Sequence, residues 1–253
     1  MRSLGKRVLL TYGGGSIKKI GLYDRVKELL KDFEIFELSG IQPNPKYDPS
    51  VLEGVRICKE QKIDVILAVG GGSVLDCSKA ISAGAKYDGD PWDLITYKVK
   101  AQAALPIVDI LTLAATGSEY DCGGVISRTE TNDKIGYQDP LLFPVVSILD
   151  PQYTFSVSKK QTAAGCADAM NHTMEQYFVE DASLPKQEIA EKAIDATYAF
   201  FESINIPMHL RDVGIDDSRI DEMAHHIAVN EGLENAYAPL SEKDIKEILI
   251  ASL

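Results

Sequence analysis

The sequence predicts an α/β fold: a mostly parallel sheet covered by helices on both faces, followed by an all-α region. Three observations predict it. Short apolar runs alternate with amphipathic stretches through the first part of the chain. Two of these runs, VLLTY and VILAV, each end in Gly-Gly-Gly-Ser, at Gly13–Ser16 and Gly70–Ser73, as buried strands turning sharply into helices do. After Asp150-Pro151 the strand-like runs stop.

In chain order, Val8–Tyr12 reads as a strand, Leu22–Asp32 as an amphipathic helix and Glu34–Leu38 as a second strand. The proline-rich turn IQPNPKYDP precedes a helix over Ser50–Lys62, the strand Val65–Val69 and a helix over Val74–Ala85. Pro106–Leu113 is the next strand. Val125–Arg128 and Lys134–Tyr137 form a hairpin around TETND, and Val145–Leu149 closes the α/β part. Helices follow over Lys160–Phe178, Lys186–Ile204, Ser218–Asn230 and Ser241–Ala251, with Ser218 and Ser241 as N-caps of the last two. The boundary falls near residues 151–158. It separates an α/β dinucleotide-binding domain, 1–154, from a helical domain, 155–253, with a cleft expected between them.

Composition excludes several classes. The 253 residues carry a formal charge of −12, which disfavours nucleic acid or an anionic membrane as partner. No apolar run is long enough to span a bilayer, and MRSLGKRVLL leads into a glycine-rich loop, not a cleavage site. Cys58, Cys77, Cys122 and Cys166 are scattered without a C-x-x-C pair, as expected of reduced thiols in the cytoplasm.

The glycine turns carry the first chemical signal. Three glycines let backbone approach an anion closely, and a helix N-terminus presents unpaired N–H groups to it. Two such loops at one sheet edge suggest a ligand with more than one phosphate, a dinucleotide. Gly70–Ser73 is the more complete motif; a ligand-free βα turn is its alternative. Ser73 and Asp76 have the spacing of a capping box, and Asp76 reads as structural because a carboxylate beside a phosphate repels it. Gly13–Ser16 leads to Lys18 and Lys19 with no acidic residue close in sequence. That setting favours NADP(H) over NAD(H), the alternative being two solvated lysines. Thr112 and Thr116, in TLAATGSE after a strand, suit a nicotinamide amide and ribose. Asp168 and His172 lie one helical turn apart, either as a pair of divalent-metal ligands or as a surface hydrogen bond.

Together, GGGS with Asp76, TLAATGSE at Thr112–Glu119 and AGCADAMNHTMEQYF at Ala164–Phe178 resemble the iron-containing (group III) alcohol dehydrogenases. YGGGSIKKIGLYDRV at Tyr12–Val26 and QPNPKYD at Gln42–Asp48 are similar to the branch of NAD(P)H-dependent butanol dehydrogenases and aldehyde reductases. The resemblance implies a dehydroquinate synthase-like architecture and hydride transfer between NAD(P)H and a small aldehyde or primary alcohol. It places Gly13, Gly14 and Ser16 at the adenosine ribose with Asn44 nearby, and Gly71, Gly72 and Ser73 at the pyrophosphate. Thr112 and Thr116 would line the nicotinamide side, with Lys134 and Tyr153 also near the cofactor. Asp168 and His172 match the first two of four ligands to Fe²⁺ or Zn²⁺, and no catalytic residue is implied beyond that metal centre. A homodimer is compatible with the resemblance.

The sequence also departs from the pattern. It passes from Phe178 through VEDASLPKQ directly toward the closing helices, so the stretch bearing the other two histidine ligands has no counterpart. His209, His225 and His226 fall in the closing region and do not match the ligand motif, and Asp121 stands where asparagine is common. The chain begins just before Gly5, where relatives carry a further strand segment. The alternative function is therefore an NAD(P)-binding remnant without a complete metal site. Glycerol dehydrogenase-like and dehydroquinate synthase-like readings fit TLAATGSE and HTMEQY less well.

Overall fold

The computed structural model describes residues 2–115, 117–180, 195, 197–203, 205–230, 233 and 239–253, with 172–180 described as backbone only. The chain divides into two compact units, residues 1–157 and 158–253.

In the first unit, β1 (Arg7–Tyr12), β2 (Glu34–Leu38), β3 (Val65–Gly70), β4 (Ile107–Leu111) and β7 (Val146–Ile148) form one sheet in the order β2-β1-β3-β4-β7. Every pairing is parallel. Strands buried on both faces need apolar residues at every position, which is why β3 reads as a continuous apolar run. On one face Val8, Leu10, Val65 and Leu67 pack with Ile17 of α1 (Ser16–Lys19) and Leu22 and Val26 of α2 (Leu22–Leu29). On the other, Leu9, Ile66 and Ile107 meet Val55 of α3 (Leu52–Glu60) and Leu75 and Ile81 of α4 (Gly72–Gly84). A four-residue helix, α5 (Trp92–Ile95), follows. The predicted hairpin forms as β5 (Gly123–Arg128) and β6 (Asp133–Gln138), antiparallel and separate from the main sheet.

The boundaries differ from expectation at several points. The helix expected over Leu22–Asp32 ends at Leu29, because Phe33 N turns back to Leu30 O at 2.8 Å and frees the chain to start β2. The helix expected from Ser50 is preceded by a wide turn, Tyr47–Val51, and is regular from Leu52.

The second unit contains α6 (Lys159–Glu180), α7 (Ile220–Asn230) and α8 (Glu242–Ala251). The helices α7 and α8 pack together, burying Ile220, Ala224 and Ile245. Ser241 caps α8 as expected, its Oγ accepting from Asp244 N at 3.3 Å while its own N–H donates to the Asp244 carboxylate at 2.8 Å. Ser218 does not cap α7. It donates from N and Oγ to Asp216, at 3.0 and 2.5 Å, because Asp217–Arg219 forms a tight turn before the helix starts. The expected helix Lys186–Ile204 lies largely outside the described residues, of which 197–203 are helical. Among the described residues no helix is long and apolar enough to cross a membrane.

Candidate functional site

Parallel register aligns the carboxyl ends of three neighbouring strands. Tyr12 of β1 lies opposite Val69 of β3, and Gly70 lies opposite Leu111 of β4. The Gly13–Ser16 turn, the Gly71–Ser73 turn and Thr112 therefore leave the sheet at one edge. Thr112 is tied there by its N–H to Gly70 O at 2.9 Å. The strand order reverses between β1 and β3, with β2 outside β1 and β4 outside β3. A crevice at the carboxyl edge beside such a reversal is where open α/β sheets bind ligands.

The glycines there meet steric demands. Gly15 has φ 107°, a left-handed conformation that favours glycine, and a Cβ on Gly14 or Gly15 would meet open space. A Cβ on Gly70 would lie 2.6 Å from Val74 Cγ2, and one on Gly71 would lie 3.1 Å from Leu113 Cβ. Gly71 is the N-cap of the thirteen-residue α4 and offers no side-chain oxygen, so the first amides of the helix, at Gly72 and Ser73, are left for an anion. This backbone cradle fits a pyrophosphate in shape and charge.

The expected Ser73–Asp76 capping box does not form. Asp76 turns from the helix N-terminus and accepts from Ser118 Oγ at 2.8 Å and Val125 N at 3.1 Å. One turn on, Lys79 is fully buried. Its ammonium donates to Ser118 O at 2.7 Å, Ser118 Oγ at 3.1 Å, Asp121 Oδ1 at 2.5 Å and Gly123 O at 2.7 Å. Asp121 thus supplies the counter-charge to a buried lysine. Sequence reasoning passed over Lys79, although a lysine inside the apolar run SVLDCSKAIS, one turn after an aspartate, was a readable signal.

After the first glycine turn, the Lys18 ammonium lies 4.8 Å from the Tyr23 ring centre and 5.2 Å from that of Tyr12. Its contact with Tyr12 raises its pKa above the ordinary value, so it stays charged. Behind it sits an acidic residue that the sequence did not bring to notice. Glu37 on β2 accepts from Tyr12 and Tyr23 hydroxyls at 2.8 and 2.9 Å and from Lys27 at 2.8 Å. Burial pushes its pKa up, but Lys27 and the two tyrosines outweigh this and hold it below the usual range. Asn44 is exposed with φ 53°, three residues after Ile41, whose N–H donates to Tyr12 O at 3.3 Å. The neighbouring Pro45 O accepts from Ser127 N at 2.9 Å, and Ser127 pairs with Lys134, so the hairpin brings Lys134 close to the Asn44 loop. Tyr153 packs against the apolar cluster on the α1–α2 face of the sheet, which includes Tyr12, Val69 and Ile110. Thr116 lies outside the described residues.

Asp109, in the middle of β4, is fully buried. Burial pushes its pKa up to about 6, against the pull of Ser147 and Lys79 and with added repulsion from Glu119. A carboxyl whose folded pKa is raised supports the fold in its neutral form. The stability it contributes is full below about pH 4 and lost as pH rises through about 6, a change of about 3 kcal/mol. Asp109→Asn is therefore expected to raise stability at about pH 8 by up to about 3 kcal/mol and to change little at about pH 3.5. Urea midpoints at the two pH values measure this; equal shifts at both would show that the ionisation of Asp109 is not the cause.

The proposed metal ligands lie on α6. Asp168 is half-buried, and the side chain of His172 lies outside the described residues. A carboxylate and an imidazole suit Fe²⁺ or Zn²⁺ in type, but catalytic zinc sites use three protein ligands. Among the described residues, which do not include the His172 side chain, no group of three His, Cys, Asp or Glu side chains is arranged to hold a metal. His225 Nδ1 lies 3.1 Å from Glu242 Oε2, between α7 and α8. His209 N donates to Asp212 at 2.9 Å in a tight turn.

Fold and edge together define an open, doubly wound α/β unit with glycine turns at its switch point. Comparison with known proteins narrows this. The family model described as iron-containing alcohol dehydrogenase matches residues 1–151, and that of the Fe-containing alcohol dehydrogenase family, C-terminal, matches 179–253. The chain belongs to the iron-containing alcohol dehydrogenase family. It is 54% identical over 190 residues to probable NADH-dependent butanol dehydrogenase 1 of Bacillus subtilis, covering 74% of this chain and 49% of that protein. It is 44% identical over 185 residues to the NADPH-dependent aldehyde reductase YqhD of Escherichia coli, covering 72% and 48%. The crystal structure of NADH-dependent butanol dehydrogenase A from Thermotoga maritima superposes with TM-score 0.88 at 27% identity, covering 98% of this chain and 91% of that one. The sequence matches span about half the length of the curated relatives.

Proposed function

We propose that this chain binds a nicotinamide dinucleotide across the β1–β3 switch point and transfers hydride between it and a small aldehyde or primary alcohol. The observation that carries the reading is the alignment of Gly13–Ser16, Gly71–Ser73 and Thr112 on one sheet edge, with the α4 amides unfilled by a side-chain cap. Gly13, Gly14 and Ser16 bind the adenosine ribose with Asn44 nearby, Gly71, Gly72 and Ser73 the pyrophosphate, and Thr112 and Thr116 the nicotinamide half, with Lys134 and Tyr153 also near the cofactor.

In the reductive direction hydride leaves the nicotinamide ring for the carbonyl carbon, and a proton is taken up at the oxygen. A divalent metal held by Asp168 and His172, iron by the family or zinc by ligand type, would supply Lewis acidity at that oxygen. No protein nucleophile is needed. Burial pushes the Cys58 thiol up to about 12 and raises that of Cys77 as well, so neither is poised to act as one. Lys18 remains charged beside the first glycine turn, and Glu37 is already engaged by three donors and is not free for a ribose diol. Both favour NADP(H) over NAD(H). The reading places the protein in the cytoplasm, possible as a homodimer, with neither nucleic acid nor membrane as partner.

The test is titration with NADPH and NADH, followed by anaerobic butanal-dependent NADPH oxidation with Fe²⁺ or Zn²⁺ and Asp168→Ala as control. Tighter NADPH binding and metal-dependent turnover lost in the control support the reading. Equal affinities would remove the NADPH preference, and binding without turnover would remove the activity.

A further inference from the structure

We propose that Asp76 and Lys79 are positioning residues for the nicotinamide half of the site, and that α4 acts as a ruler between the two halves of the cofactor. The inference rests on the dinucleotide reading above. The helix α4 starts at the Gly71–Ser73 turn, and one and two turns further along it, Asp76 and Lys79 face the segment that follows TLAATG. Among the described residues, the acceptors around the Lys79 ammonium lie in residues 118–123: the Ser118 carbonyl and hydroxyl, Asp121 and the Gly123 carbonyl. Ser118 is shared, since its hydroxyl also donates to Asp76 at 2.8 Å. The same segment is approached from the far side by Ser147 Oγ, whose one proton is shared between Asp109 Oδ2 and Glu119 O, the latter at 2.7 Å.

The helix and hairpin are held close enough that position matters. A Cβ on Gly124 would lie 3.1 Å from Asp76 Cα, and the Tyr137 hydroxyl donates to Asp76 O at 2.6 Å. The helical rise fixes the offset of Asp76 and Lys79 from the pyrophosphate turn to within the stiffness of one helix. A buried ammonium with four acceptors has few other places to go. The loop that begins at Thr112 is thereby held at a set distance from Gly71–Ser73. The adenosine half, built from Gly13–Ser16, does not depend on this tie.

That asymmetry gives the test. ADP-ribose carries the adenosine and both phosphates but no nicotinamide. Calorimetric affinities for NADPH, NADH and ADP-ribose are compared in the wild type, Lys79→Met, Asp76→Asn and Ser118→Ala. The whole chain is used, well below its melting temperature. Lys79→Met is expected to weaken the reduced dinucleotides by about ten-fold or more and ADP-ribose by less than about two-fold. Ser118→Ala, a smaller change, should move in the same direction by about three-fold. If Lys79→Met does not fold, Asp76→Asn and Ser118→Ala decide. ADP-ribose weakening in step with the dinucleotides, or no change in either, would overturn the positioning role. A wild type that binds ADP-ribose as tightly as NADPH would overturn it too, while leaving the dinucleotide site in place. A wild type that binds none of the three ligands would remove the cofactor reading and this inference with it.

Discussion

Ser73→Asp is expected to abolish dinucleotide binding while leaving the protein as stable as before or slightly more so. Ser73 is the second residue of α4, after the N-cap Gly71 and Gly72. A carboxylate in the first turn of a helix interacts favourably with the unpaired amides there, by about 0.5 kcal/mol. The same charge would face a pyrophosphate seated on those amides. Two unit charges about 4 Å apart repel by about 4 kcal/mol at an effective dielectric of about 20, enough to weaken binding about a hundred-fold or more. Thermal melting and calorimetric titration of the one variant read the two effects separately. If affinity survives, the Gly71–Ser73 turn is not the pyrophosphate site. If stability and affinity fall together, the variant has disturbed the turn itself.

Lys79→Met is expected to lower stability by about 3 kcal/mol, or roughly 10 °C in melting temperature. Methionine fills a similar volume, so the loss reports the ammonium and not a cavity. Removing it leaves the carbonyls of Ser118 and Gly123 without their donor, and Ser118 is only 2% exposed. Asp121, with its side chain 51% exposed, regains water and limits the penalty. A melting temperature within about 2 °C of wild type would mean that desolvating the ammonium offsets its hydrogen bonds. Asp121→Asn alone should then be nearly silent, whereas a net stabilising role for the pair predicts a measurable loss in that variant as well.

Much of the first unit was readable because parallel strands buried on both faces leave a simple mark: runs such as VILAV with a glycine turn at the end. Strand positions, the hairpin around TETND and the Ser241 cap follow from local chemistry and appear within a residue or two of expectation. Ser73 and Asp76 show where local pattern misleads. Their spacing suits a capping box, but Gly71 takes the cap position, and a hairpin 49 residues further on offers Asp76 the Val125 amide. Ser218 fails in the same way, since Asp216 two residues earlier competes for the turn.

The sequence by itself determined the strand–glycine–helix turns, the family and the residue types on offer at each position, because these depend on neighbours along the chain. Only the tertiary structure decided what those residues face. Parallel register carries two glycine turns, 57 residues apart in sequence by their first glycines at 13 and 70, to the ends of adjacent strands. Glu37 reaches Tyr12 and Lys27 because β2 lies beside β1, and Lys79 meets Asp121 because the β5–β6 hairpin folds onto α4. A charge is placed by the sequence, but its partner, its burial and hence its energy are set by whatever the fold packs against it.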